Sequence, residues 1–172
     1  MKHTAVALIL SVSAAFCPLV AQTVEVNLLV SADSDGESAF RSSELVIEGV
    51  LDSLFETGFI GTNARPSGGS EESFKAWKPG TLTSEGFVDY VILVLASYGK
   101  GLEVPSCVYA LVRVSDGATV FKGEVPAEVP RTSLQADIDS ACVSVGRKLG
   151  MDCGGALARV STRWRNHEYF KA

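Results

Sequence analysis

Apolar and polar residues alternate over 23–30, with Val24, Val26, Leu28 and Val30 on one side and Glu25, Asn27 and Leu29 on the other. A period of two predicts a strand with one face well buried. The period then changes. Ile47, Val50, Leu51, Leu54 and Phe55 recur at helical spacing, Ser42 or Ser43 is placed to cap, and Gly58 supplies a left-handed stop, so a helix is expected to run to Thr57. The Ser-, Asp- and Gly-rich stretch 31–41 reads as the loop before it. Residues 59–64 form a short second strand, 66–73 a mobile connection, and 71–77 two helical turns closed by Pro79-Gly80. "VDYVILVLASY" at 88–98 is a nearly continuous apolar run, as expected of a central strand covered on both faces.

Two strand-like runs, 106–114 and 119–125, flank Asp116-Gly117, which predicts a hairpin. Thr132 and Gln135 match a capping box, and Leu134, Ile138, Ala141, Cys142, Val145 and Leu149 line one side of the helix that follows, with Gly150 as its expected end. Residues 156–164 fit either an edge strand or a helix; their alternation favours the strand. The order predicts an α/β (α+β) fold of two layers, with helices packed on a mixed, mainly five-stranded sheet that contains the hairpin. Residues 22–150 form a single domain, and 151–172 a basic C-terminal extension or added edge strand.

The 172 residues, 47% hydrophobic and 20% charged, suit one globular core. Met1-Lys2-His3, the apolar run 5–12, small residues and Pro18 read as an export signal, cleaved after Ala15 or Ala21. The chain is therefore expected in the periplasm or cell envelope. Lipidation of Cys17 is disfavoured by the bulky Phe16 before it. Without residues 1–21 only Lys2 is lost, and the net charge moves from −5 to −6. That balance argues against nucleic acid. Charge is also uneven: residues 22–146 hold 8 basic and 18 acidic groups, and 147–172 hold 6 and 2. The tail is expected to fold back on the body.

Candidate chemistry is sparse. His167 is the one histidine after the leader, and no G-x-S-x-G surrounds a serine, so a Ser-His-Asp relay is not expected. No cysteine or histidine spacing suits zinc. Asp33, Asp35 and Glu44 resemble part of a calcium loop, but Gly36 falls at the fourth place instead of the sixth. Gly68-Gly69 and Gly99-Lys100-Gly101 read as turns, not phosphate cradles. Asp137 and Asp139, two apart on a helix, do not face each other. No metal and no cofactor are expected. Cys107 and Cys142 read as buried small hydrophobes. Cys153, beside Gly154-Gly155, reads as the exposed thiol, with a Cys142–Cys153 bridge as one option in an oxidising compartment.

One feature breaks a local rule. Glu44, Glu48, Asp52 and Glu56 recur every fourth residue, an arrangement in which like charges cost a few tenths of a kcal/mol each, roughly. Either Arg159, Arg163 and Arg165 fold over this edge, or it docks a basic partner.

The helix ending "ETGFI", the strand "VDYVILVLASYG" and the hairpin "YALVRVSDGATVFKGEV" resemble a bacterial envelope group: the N-terminal domain of TolB, LpoB and CsgG. The resemblance covers about residues 24–149. It implies a domain that acts by binding other envelope proteins, and no functional residue carries over. The lipobox of the lipoprotein members and the propeller of TolB are missing from the pattern. The expectation is therefore a non-enzymatic envelope adaptor, meeting its protein partner through the acidic edge or the loops 31–41 and 65–80, and meeting the membrane only through that partner. The alternatives are a small enzyme using Cys153 and a self-associating structural subunit.

Overall fold

The computed structural model describes residues 22–31, 36–79, 88–99 and 103–169, with side chains given for none of 36, 37 and 161–169. The leader, Cys17, the Asp33/Asp35 motif and Lys100-Gly101 lie outside the described residues. Strand β1 (Thr23–Ser31) leads into helix α1 (Gly36–Glu56), then β2 (Ile60–Asn63), β3 (Ser67–Gly69) and the short helix α2 (Glu71–Ala76). Next come β4 (Tyr90–Ser97), β5 (Ser106–Arg113), β6 (Thr119–Val125) and the long helix α3 (Gln135–Tyr169). The sheet is six-stranded, in the order β2-β1-β4-β5-β6, with β3 also paired to β1. β1 is parallel to β2, β3 and β4, whereas β4, β5 and β6 are antiparallel neighbours.

This topology decides where the helices lie. The connection from β1 to β2 moves one way across the sheet, and that from β3 to β4 moves the other way. Crossovers between parallel strands are right-handed, so opposite directions put the two connections on opposite faces. Accordingly α1 packs with Val24, Val26, Leu28 and Val30. Phe74 of α2 and Trp77 instead cover Leu29, Leu93 and Leu95 on the other face. β4, flanked on both sides and covered on both faces, is buried from Tyr90 to Ala96. The Asp-Gly hairpin has Gly117 at φ 68°, in the left-handed region that spares glycine a steric penalty.

Helices α1 and α3 run parallel across the first face. Their contacts advance together along both chains: Gly146 meets Val46, Gly150 meets Val50 and Ser53, and Gly154 meets Thr57. The approach is backbone to backbone. A Cβ at Gly146 would lie 2.0 Å from the Val46 carbonyl oxygen, and one at Gly49 would lie 2.2 Å from that of Val143. Ser53 Oγ donates to the Arg147 carbonyl at 3.1 Å across the same seam.

Several boundaries differ from expectation, and close packing explains them. α1 begins at Gly36, so most of the expected loop 31–41 is helical; Ser42 and Ser43 lie inside the helix and are buried, not capping. Ser43 donates to the Tyr98 hydroxyl at 2.7 Å, and that hydroxyl donates to the Ala39 carbonyl at 2.9 Å. Gly58, at φ 85°, does end α1. Part of the expected connection 66–73 pairs with β1 as β3. Gln135 bonds Asp139 instead of reaching back to residue 132, and Leu134 is exposed before the helix starts. Gly150 is no stop. α3 passes through it without a positive φ, because this glycine serves the α1 seam. Residues 156–164 are therefore helical, not an edge strand. Cys153, Ala156 and Leu157 are buried and Val160 packs beside them, a helical spacing.

The seam predicts opposite signs for two chemically identical changes. Gly155→Ala, where an added Cβ meets nothing within 4 Å, should raise stability by up to about 1 kcal/mol through helix propensity. Gly146→Ala should lower it by about 1–3 kcal/mol, because overpacking against a carbonyl exceeds that gain. Urea unfolding of both variants checks the pair; equal shifts of the same sign would contradict the seam.

Candidate interaction surface

The carboxylates of the acidic edge share the exposed side of α1 but have different surroundings. Asp52 and Glu56 turn toward α3, where Arg147 lies 3.6 Å from Asp52 and 2.8 Å from Glu56. Glu44 and Glu48, exposed, make no ion pair with any described residue. Phe55 lies on the same flank and is 82% exposed, and the neighbouring Leu51 is half-buried. This flank therefore combines two carboxylates that have no ion pair among the described residues with an exposed aromatic side chain. Arg41, one turn before Glu44, is held by Asp139 at 3.0 Å.

Arg159, one of the arginines expected to fold over this edge, does not reach Glu44 or Glu48. α3 passes the end of α1 where Gly154 meets Thr57. Arg159 lies five residues further on, and Glu48 nine residues back from Thr57, so about 21 Å separate them along the helix axes at 1.5 Å per residue. An arginine side chain spans roughly a third of that distance. Arg163 and Arg165, whose side chains lie outside the described residues, sit still further along α3. Arg147, missed in the sequence, neutralises one end of the edge instead. Its helical phase alone could not reveal this, since it depends on the parallel seam.

The thiols are also corrected. Cys142 and Cys153 lie on one helix, eleven residues and therefore about 16 Å apart, beyond the roughly 7 Å that a disulfide can bridge between Cα atoms. Cys107, Cys142 and Cys153 are free and buried. Burial pushes the Cys107 thiol up to about 12 and the Cys142 thiol up to about 11, and it drives that of Cys153 higher still. At neutral pH the nucleophilic thiolate is then a negligible fraction, so Cys153 is not the exposed, reactive group expected. The burial of Cys153 follows from α3 continuing past Gly150.

Two buried polar residues were not singled out in the sequence. Glu25 and Asn27 point to the α2 face of the sheet, 2% and 4% exposed, and the Asn27 carboxamide finds no hydrogen-bond partner among the described residues. Alternation assigns their face but not its cover. Tyr109, buried on β5, donates to Asp152 Oδ2 at 2.7 Å, and Gly123 opposite leaves room for the ring. Among the described residues no group of three or more His, Cys, Asp or Glu is placed to hold a metal, and no helix is long and apolar enough to cross a membrane.

No protein-family model and no curated protein matches the chain. Solved structures to which it is similar include protein XCC0632 from Xanthomonas campestris, 13% identical over 84% of this chain and 87% of that one, with a TM-score of 0.47. Lipoprotein GNA1162 from Neisseria meningitidis is 19% identical over 74% and 97%, at a TM-score of 0.43. TolB from Acinetobacter baumannii is 11% identical over 79% of this chain and 28% of TolB, at a TM-score of 0.41.

Thiol chemistry gives a direct check. At about pH 8, where a group titrating near 11 is ionised to on the order of a thousandth, iodoacetamide should label none of Cys107, Cys142 and Cys153 in the folded protein and all three in denaturant. Fast labelling of Cys153 under native conditions, mapped by mass spectrometry, would contradict its placement.

Proposed function

We propose that this chain is exported to the bacterial envelope and acts there as a non-enzymatic adaptor, capturing a protein partner on the exposed flank of α1. The observation that carries the reading is the combination on that flank of Glu44 and Glu48, free of ion pairs with described residues, and Phe55, 82% exposed. Like charges four residues apart destabilise the helix that bears them. An aromatic ring in water forgoes its burial free energy. Both costs are recovered when a basic, partly apolar surface docks. Export is supported by the leader-like order of charged, apolar and small residues in 1–21. The resemblance of the helix, core strand and hairpin motifs to the TolB, LpoB and CsgG group points the same way, since those domains work by binding envelope proteins. The partner is a protein; the charge balance of the chain disfavours nucleic acid.

A photo-crosslinking side chain placed at position 48 and activated in intact cells should give a discrete adduct with an envelope protein, while the same group at Val129, exposed on the β6–α3 connection, should not. Glu44→Ser with Glu48→Ser should weaken capture while raising the stability of the domain by a few tenths of a kcal/mol, roughly. Unchanged capture by the double variant, or no adduct from position 48, would contradict the reading.

A further inference from the structure

The acidic flank of α1 overhangs an open edge of the sheet. β2 is the last strand on its side, paired with β1 alone. Ile60 N–H donates to the Gln22 carbonyl at 3.4 Å and Ala64 N–H to that of Val26 at 3.2 Å, so alternate residues of β2 turn their backbone groups inward. Gly61 and Asn63 turn theirs outward, where no described residue bonds them. Pro66, which has no N–H, closes this open stretch before β3. A Cβ at Gly61 would lie 2.7 Å from Leu51 Cδ2, which places Leu51 directly over the edge. Glu44 is seven residues before Leu51 and Glu48 seven before Phe55, so the two pairs form adjoining stripes on that side of α1. As the helix between parallel strands, α1 runs opposite to β2. Glu48 and Glu44 therefore lie about 5 and 11 Å from Leu51 along the helix, in the direction in which Asn63 lies about 7 Å from Gly61 along the strand.

We infer that the flank takes its partner by strand addition: an extended segment of the partner protein pairs with β2 and sets an apolar side chain under Leu51 and Phe55, then basic ones at the next two alternate positions under Glu48 and Glu44. This rests on the reading of the flank as a protein-binding face and supplies the mode of capture. An added strand would lie about 4.8 Å outside β2, beneath the side chains that α1 carries beyond the sheet. Backbone bonds to Gly61 and Asn63 hold the segment, and its alternate side chains are selected by the helix above. A second copy of this chain fits poorly. Pairing β2 with β2 would bring the acidic flanks of both copies together. β6, the opposite edge, gives its Phe121 and Val125 to its own core, with Gly123 against Tyr109 on the same face, and so offers the carboxylates no cation there.

Amide hydrogen exchange of the full chain, followed residue by residue by NMR, tests this with an acetylated and amidated peptide of sequence Val-Thr-Lys-Thr-Lys-Thr. Gly61 and Asn63 should exchange freely in the chain alone and slow about fivefold or more at saturating peptide. The same peptide with Glu in place of both Lys should protect neither. Asn63→Pro removes one outward donor and no bond to β1. It should cut both peptide affinity and the adduct formed in cells from position 48 about tenfold, the equivalent of one backbone hydrogen bond, whereas Asn63→Ala should preserve both. Circular dichroism verifies that each variant is folded. Amides at 61 and 63 already protected in the free chain would overturn the inference, because the chain would then cover its own edge; protection that appears only as the chain itself is concentrated would overturn it in favour of a second copy. An undiminished position-48 adduct in Asn63→Pro would sink strand addition and leave the flank as the binding face. Equal protection by the lysine and glutamate peptides, with no adduct from position 48, would remove the flank reading and the inference with it.

Discussion

The contact between the backbones of α1 and α3 is the constraint from which most of the structure follows. Gly49 on one helix and Gly146, Gly150 and Gly154 on the other let the main chains approach until an added methyl group would overlap a carbonyl oxygen or a facing side chain. Such a seam fixes both the direction and the axial register of the two helices. It also holds α3 helical through glycines that would otherwise favour a stop, since the glycine cost in helix propensity, about 1 kcal/mol per residue, is offset by packing that no larger residue could reproduce. The sheet supplies the platform: right-handed crossovers in opposite directions send α1 to one face and α2 to the other, and the continuous α3 joins α1.

Much of this was legible in the sequence. The alternation in β1, the unbroken apolar run of β4, the Asp-Gly hairpin and the left-handed stop at Gly58 all report local physics, and each lies where its pattern places it. The course of the chain after Gly150 was not legible, because a glycine can equally end a helix or admit a neighbouring one, and only the neighbour decides. The early start of α1 was hidden for a similar reason. Ser42 and Ser43 have the composition of a cap, but they serve as small buried residues beneath Tyr98. The sequence reading of Cys153 as exposed rested on the same assumed end of the helix, and the error carried from one to the other.

The candidate surface divides along the same line. Helical phase alone places Glu44, Glu48, Asp52 and Glu56 on the exposed side of α1. Which of them are compensated depends on the register of the seam, which brings Arg147 to Asp52 and Glu56 and leaves Glu44 and Glu48 open. The charge imbalance between the body and the tail suggests that the two attract. A parallel α3 carries Arg159 past the end of α1 and away from Glu44 and Glu48. Among the described residues the three thiols are buried, with burial raising their pKa, and the Tyr109 hydroxyl is satisfied by Asp152.

The separation of flank and tail is the claim on which the functional account stands, and it is a distance. Spin labels on Glu48→Cys and Arg163→Cys, in chains diluted with excess unlabelled protein so that only intramolecular pairs contribute, should report a separation of about 30 Å by pulsed dipolar spectroscopy, as 1.5 Å per residue along parallel helices requires. A dominant separation below about 15 Å would mean that the tail folds back over α1 and neutralises its own acidic flank, and the account of a surface left open for another molecule would be wrong.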